Sequence, residues 1–260
     1  MKIRLFFTMG LALATALLTG CATFTLAGVD ERETPGPSAD KPASPSDDEA
    51  EATAEPQLRG EVVVLIHGMM RSPLSMKHLE SFLAEEGYDV YNWGYSSTCC
   101  SIAELGEQLQ KDLAEFRKSR PGTVHFVGHS LGNIIIRWAL TQGTPPDDVG
   151  QVVMLAPPNQ GSSMADVLTP YLGEIIKPIA ELQTDAESTA KSLPEIENAT
   201  IGVIAGKYDD KVSIEESHLK EEDDHIVVPA FHSFLMWRED VQQQVLTFLE
   251  EGKFEHEEND

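Results

Sequence analysis

Five residues near the middle of the chain, Gly128-His129-Ser130-Leu131-Gly132, set a serine between two glycines at the spacing G-x-S-x-G. A short apolar run, Thr123 to Val127, precedes them, and apolar residues at helical intervals follow from about Leu131 to Leu140. The pattern therefore falls on a strand–turn–helix, the setting in which it has chemical meaning. At so sharp a turn a side chain on either flanking position would collide with neighbouring backbone, and glycine removes it. The turn lifts the Ser130 hydroxyl above the sheet, at the positive end of the helix that follows. A hydroxyl is a poor nucleophile until a base takes its proton, and the base needs an orienting carboxylate. The chemistry is attack on an acyl carbonyl, whose oxyanion requires two fixed N–H donors.

A serine so placed needs a sheet beneath it, and the chain alternates strand-like and helix-like segments. Glu61 to Ile66 reads as a buried strand ending at His67-Gly68. Ser72-Pro73 opens a helix, with Ser72 as its cap, that turns Leu79, Phe82 and Leu83 inward and stops at Gly87. Tyr88 to Trp93 is the next strand. Ile102, Leu105, Leu109, Leu113 and Phe116 then mark a helix over residues 101–118. Further strands are Gln151 to Ala156, Thr200 to Ala205 and His225 to Pro229, and a last helix runs from about Glu239 to Glu250. Strands separated by helical patterns imply an α/β domain of six mostly parallel strands with helices on both faces. Ligands in such sheets bind at the carboxyl ends of the strands, where the polar residues cluster.

Phe126 to Asn133, Phe-Val-Gly-His-Ser-Leu-Gly-Asn, resembles the nucleophile elbow of bacterial lipases and esterases of the α/β-hydrolase superfamily. The likeness extends from Val62 to Leu249 and is to compact lipases lacking the first two strands of the larger fold. It implies a minimal α/β-hydrolase fold with no cofactor. One oxyanion donor would be the N–H of Leu131, after the nucleophile. The other would be the N–H of Met69, because His67-Gly68-Met69 resembles the His-Gly dipeptide of lipases; His67 is then structural and not a base.

The resemblance also implies the chain order Ser, Asp or Glu, His, with the carboxylate after strand 200–205 and the histidine after the final strand. The Asp-x-x-Val of related lipases selects Asp209, paired with Val212; Asp210 competes, since spacing does not separate neighbours. His232, in Pro229-Ala-Phe-His-Ser-Phe-Leu235, matches the loop that carries the lipase histidine. The other histidines lie in less suitable places: His78 on a helix, His125 within a strand, His129 beside the nucleophile, His218 in a charged loop, His225 opening a strand and His256 in the tail. Ala156 to Ser162 resembles the Pro-Asn-x-Gly-Ser stretch of lipases and is expected to wall the pocket. Val167, Leu168, Tyr171, Leu172, Ile175, Ile176 and Ile179 follow as an apolar stripe, read first as core and alternatively as a cap over an acyl-chain pocket.

The two ends carry other signals. Lys2 and Arg4, the apolar run Leu5 to Leu18 and the ending Leu18-Thr19-Gly20-Cys21 read as an export signal over 1–20. The ending resembles the lipobox of bacterial lipoproteins, which implies lipidation at Cys21. Ala22 then implies an outer-membrane location in the bacterial envelope. Residues 21–58, poor in large apolar side chains, read as a lipidated start and a disordered linker, residues 59–251 as the catalytic domain and 252–260 as an acidic tail. A formal charge of −24 argues against nucleic acid and against anionic headgroups as electrostatic partners. Cys99 and Cys100 admit a mutual disulfide or free thiols. The acidic run Glu221 to Asp224 beside His225 reads as a solvated loop, not a metal site.

These features make a serine ester hydrolase acting through an acyl-enzyme, with Ser130, Asp209 and His232 as its triad. The substrate is expected to be an uncharged small-molecule or lipid ester, with the membrane a partner through the lipid anchor. An acyltransferase with the same triad, and a catalytically retired envelope protein of this fold, are the alternatives. The retired form predicts a broken triad, and all three positions are intact.

Overall fold

The computed structural model describes residues 58–256. The signal segment, Cys21, nearly all of the linker and the end of the tail lie outside the described residues. Six parallel strands form one sheet in the order β2-β1-β3-β4-β5-β6. They are β1 (Val62–Ile66), β2 (Asp89–Trp93), β3 (Val124–His129), β4 (Val149–Leu155), β5 (Thr200–Gly206) and β6 (Asp224–Val228). The central strands are buried on both sides, which is why they read as β-branched runs without alternation. Successive residues nonetheless feed opposite cores. Val62, Val64, Ile66, Phe126 and Met154 pack on one face, and Val63, Leu65, Val127, Val153 and Leu155 on the other. Each such side chain contributes roughly 1.5–3 kcal/mol by burial.

Helices α2 (Ile102–Phe116) and α3 (Leu131–Thr141) cover the first face, and α1 (Lys77–Glu85) and α7 (Glu239–Glu251) the second. The α2 start is fixed by a capping box, in which the Ser101 hydroxyl accepts from Glu104 N–H and the Glu104 carboxylate accepts from Ser101 N–H. The first helix corrects the sequence reading. Ser72 makes no side-chain cap; its carbonyl instead accepts from both the N–H and the hydroxyl of Ser75. That doubled contact winds Pro73–Met76 as a 3-10 turn, and the α-helix begins only at Lys77.

The segment between β4 and β5 holds α4 (Ser163–Leu172), a 3-10 stretch Lys177–Leu182 and the short α5 (Thr189–Ser192). Its apolar stripe is not one core face. Ile176 and Ile179 are buried, whereas Val167, Tyr171 and Ile175 are largely exposed. Of the two states open to Cys99 and Cys100, the structure has the disulfide. The loop carrying it is tied across the fold, with Lys177 N–H donating to Thr98 O at 3.1 Å.

Candidate active site

Ser130 occupies the single residue between β3 and α3, at φ 53° and ψ −122°. A non-glycine residue in that region costs of order 1–3 kcal/mol and persists only where its surroundings fix it. Here they do. Ser130 N–H donates to Leu155 O at 2.9 Å. Asn133, fully buried one turn into α3, donates from Nδ2 to Ser130 O at 3.2 Å and to Leu155 O at 3.0 Å. A Cβ on Gly128 would lie 2.3 Å from Asn133 Oδ1, and one on Gly132 would lie 2.4 Å from Ile66 O and 2.9 Å from His67 O. The two glycines thus let the elbow sit against its own brace and against the end of β1.

That close approach brings the loop after β1 to the serine. His67 is fully buried, stacked on Tyr95 with centroids 4.2 Å apart, and burial holds its imidazole below the usual histidine range. Its Nδ1 lies 3.0 Å from Gly68 O, while Tyr95 donates its hydroxyl to His67 O at 2.6 Å. A neutral ring so held is a strut, as the sequence implies. The N–H groups of Met69 and Leu131 have no hydrogen-bond partner among the described residues. Leu131 is the first residue of α3, so its N–H belongs to the unsatisfied set at the helix start.

The turn after β5 carries Asp209. Its Oδ1 accepts from the N–H groups of Lys211 at 2.8 Å and Val212 at 2.9 Å, and its Oδ2 lies 2.7 Å from His232 Nδ1. The Asp209 side chain is 1% exposed and that of His232 6%. Asp210 makes no hydrogen bond to His232; it is exposed and paired with Lys211 Nζ at 3.0 Å, which holds its carboxyl below the usual range. Of the two adjacent carboxylates, the one bonded to histidine is therefore Asp209.

His232 opens a 3-10 turn, His232–Trp237, after β6. His129 Nε2 lies 2.9 Å from His232 O, a contact that needs the proton on Nε2. Burial, and then the neighbouring His232, depress the His129 pKa well below its ordinary value, so this ring stays neutral. Sequence reasoning placed His129 only as a flanking residue; the structure makes it a brace between the elbow and the His232 loop.

Ser130 and His232 line one cavity of about 390 Å³, within the roughly 300–1,000 Å³ of ligand sites. His129 and His232 alone among the described histidines reach it. No hydrogen bond joins Ser130 to His232 in this conformation, and such contacts often tighten only when substrate is bound. Its walls are mostly apolar, with Met69, Met164, Leu168, Ile179, Leu182 and Val212 prominent, and Arg71 and Lys211 supply cationic groups. Pro158 and Ser162, from the stretch expected as a wall, are indeed there. Ser162 donates to Lys211 O at 2.6 Å, tying the wall to the turn that carries Asp209.

Arg137 stands out in the sequence only as a charge on an otherwise apolar helix. It is buried in α3, pulled down by burial to about 10 and so still cationic, and it donates to Ala190 O at 2.7 Å and to Asn159 Oδ1 at 3.4 Å. It braces the wall at Asn159 and the start of α5 at Ala190 together.

Known structures share this architecture. The mature Bacillus licheniformis lipase BlEst2 superposes with a TM-score of 0.59 at 18% identity, covering 77% of this chain and 91% of that one. Its propeptide form gives 0.64 at 16% identity over 79% of this chain and 53% of that one. A putative thioesterase from Silicibacter sp. TM1040 gives 0.53 at 21% identity, covering 70% and 71%. Identities this low establish the α/β-hydrolase fold and no more. No curated protein matches the chain. The family described as palmitoyl protein thioesterase, however, matches residues 62–203. Because the match runs over more than half of the sequence, from β1 through the elbow and pocket wall into β5, the chain belongs to that family.

Proposed function

We propose that the chain hydrolyses esters or thioesters of apolar acyl chains through a Ser130 acyl-enzyme. Ser130 Oγ attacks the acyl carbonyl carbon while His232 Nε2 takes its proton. Asp209 holds the ring in the tautomer with Nδ1–H and stabilises the imidazolium. The N–H groups of Met69 and Leu131 receive the oxyanion. Collapse breaks the C–S or C–O bond, and His232 returns the proton to the leaving thiolate or alkoxide. Water, deprotonated by the same ring, then attacks the acyl-enzyme, and Ser130 leaves with its proton restored.

The observation that carries this reading is the buried Asp209–His232 pair opening on the same cavity as the strained Ser130. The apolar wall supports an acyl chain as the recognised group, with each buried CH₂ adding roughly 0.8 kcal/mol. The family match favours a long chain such as palmitoyl and adds thioesters to the esters expected from sequence. The assay is hydrolysis of acyl thioesters and p-nitrophenyl esters from acetyl to palmitoyl, beside fluorophosphonate labelling, for the native chain and Ser130→Ala. Labelling and turnover that both vanish in the variant support the reading. Turnover that survives Ser130→Ala refutes it.

The same proposal includes export and lipid attachment at Cys21, which rests on residues 1–21 alone. It is checked by the mass of the mature N-terminus, and an unmodified Cys21 or an uncut leader would remove it.

A further inference from the structure

We propose that His218, Glu222 and His225 form a binding site for a divalent transition-metal ion of the zinc type, separate from the hydrolytic pocket. The acidic run Glu221 to Asp224 reads in sequence as a solvated loop, but the structure adds a second histidine to it. The chain leaves α6 (Ile214–Ser217) at His218, turns tightly, and enters β6 at Asp224. The turn is closed by Glu222 N–H donating to Leu219 O at 3.2 Å. It stacks the His218 and His225 rings with centroids 4.1 Å apart. One ligating atom from each of His218, Glu222 and His225 lies within 4.8 Å of the other two. None of the three lines the pocket.

The donor set decides the kind of ion. Calcium and magnesium take oxygen ligands, whereas two imidazoles with one carboxylate suit zinc and its neighbours, leaving a fourth position for water. Bonds of about 2.0–2.1 Å require the three atoms to draw closer together. The two rings lie nearly parallel, so His218 must turn out of its stack for its lone pair and that of His225 to converge on an ion; its exposure gives room for that turn and gives the ion a path from solvent.

The surrounding contacts already orient the ligands, as outer-shell partners do in metal sites. Glu222 Oε2 accepts from Leu219 N–H at 2.9 Å, which directs Oε1 to His218 Nδ1 at 2.6 Å. Ser217 Oγ donates to Ile214 O at 2.7 Å, so its 3.2 Å contact with His225 Nε2 is accepted from that ring's N–H. The His225 Nδ1 lone pair is then left unused. An ion binding His218 Nδ1 replaces the proton there, which moves to Nε2 or to solvent.

Such an ion would pin α6 to β6. Glu216 of α6 accepts from Gln160 N–H at 2.9 Å through its carbonyl and from Ser163 N–H at 2.7 Å through its carboxylate. The pocket wall therefore hangs on the segment the metal would fasten, and the effect is on stability, with no part in the acyl chemistry.

The test uses the full chain, stripped with a chelator and titrated with ZnCl₂ by calorimetry and thermal melting. Saturable one-to-one binding is expected, with Tm raised by roughly 5–10 °C at a hundredfold excess over Kd. His218→Ala, Glu222→Gln and His225→Ala should each weaken binding by about tenfold or more. His218→Ala, at an exposed position, keeps the test valid should His225→Ala fail to fold. Absence of saturable binding overturns the proposal. So does native-level binding by the variants, which would place the zinc elsewhere.

Discussion

Gly132→Ala tests whether the elbow and the loop proposed to supply an oxyanion donor are one mechanical unit. The added Cβ would stand 2.4 Å from Ile66 O, where real contacts are not under 3.0 Å and are comfortable at 3.4 Å. The nearest atom is a backbone oxygen, as is His67 O at 2.9 Å, so about 0.6–1.0 Å must be found by moving the end of β1 away from α3. The displaced strand end leads directly into His67-Gly68-Met69, and with it the Met69 N–H. Two independent magnitudes then agree. A misplacement near 1 Å costs about 10² in rate, and loss of one oxyanion donor about 10² to 10³. The expected result is a fall in kcat of about 10² with little change in KM, measured on p-nitrophenyl esters. The folded fraction is counted by circular dichroism. Gly202→Ala is the control, because its Cβ would meet the Phe248 ring at 2.5 Å, away from the cavity. Both variants carry an overpacking cost of about 1–3 kcal/mol, so both should melt lower, but only Gly132→Ala should lose kcat. A Gly132→Ala enzyme within about threefold of native kcat would refute the coupling.

Asp209→Asn should lower kcat by about 10⁴. Its Oδ1 remains held by two N–H donors, so the amide NH₂ faces His232 Nδ1 and forces the ring proton to Nε2, the atom proposed to act as base. Asp210→Asn should stay within about twofold of native, and the reverse ranking in steady-state assays would reassign the acid. Stability should also depend on pH through His67 and His129, both depressed by burial. A histidine whose folded pKa lies below its unfolded value stabilises fully above about pH 6.5, and that contribution is lost as pH falls towards the folded value. Urea melts from pH 7 to pH 5 should show stability falling by up to about 1.4 kcal/mol per pH unit for each ring. A flat profile over that window would contradict it.

The central strands were legible because a strand covered on both faces has nowhere to put polar side chains, while the edge strands β2 and β6 are only partly covered and were placed by their short runs between helical patterns. Val62 to Ile66 and Val152 to Leu155 announce themselves by composition alone. The ends of helices were harder. Ser101 and Glu104 carry a readable capping box, but Ser72 looks like a cap and is used through its carbonyl instead. The stripe in and beyond α4 misleads for a different reason. Its apolar residues divide between two settings, with Met164, Ala165 and Leu168 facing the cavity and Val167 and Tyr171 left at the surface. Spacing shows that such a helix has apolar residues on several sides. It does not show which side is covered.

The site divides along the same physical line. Residues that do chemistry must be of particular types at particular turns, so Ser130, Asp209 and His232 could be nominated from motifs and chain order. Residues that hold them in place act on backbone carbonyls, which are the same at every position and leave no mark in the sequence. Asn133 reaches Leu155 O, His129 reaches His232 O, and Arg137 reaches Ala190 O. These partners lie 22, 103 and 53 residues away. Most buried polar side chains find at least one hydrogen-bond partner, so Asn133 and Arg137 on an otherwise apolar helix were the available clue that something crossed to meet them. The cluster proposed to bind a metal follows the same logic in reverse. His218 and Glu222 are four residues apart and His225 three further on, a spacing without meaning in an extended loop. It becomes a donor set only because the Leu219–Glu222 turn folds the three onto one side.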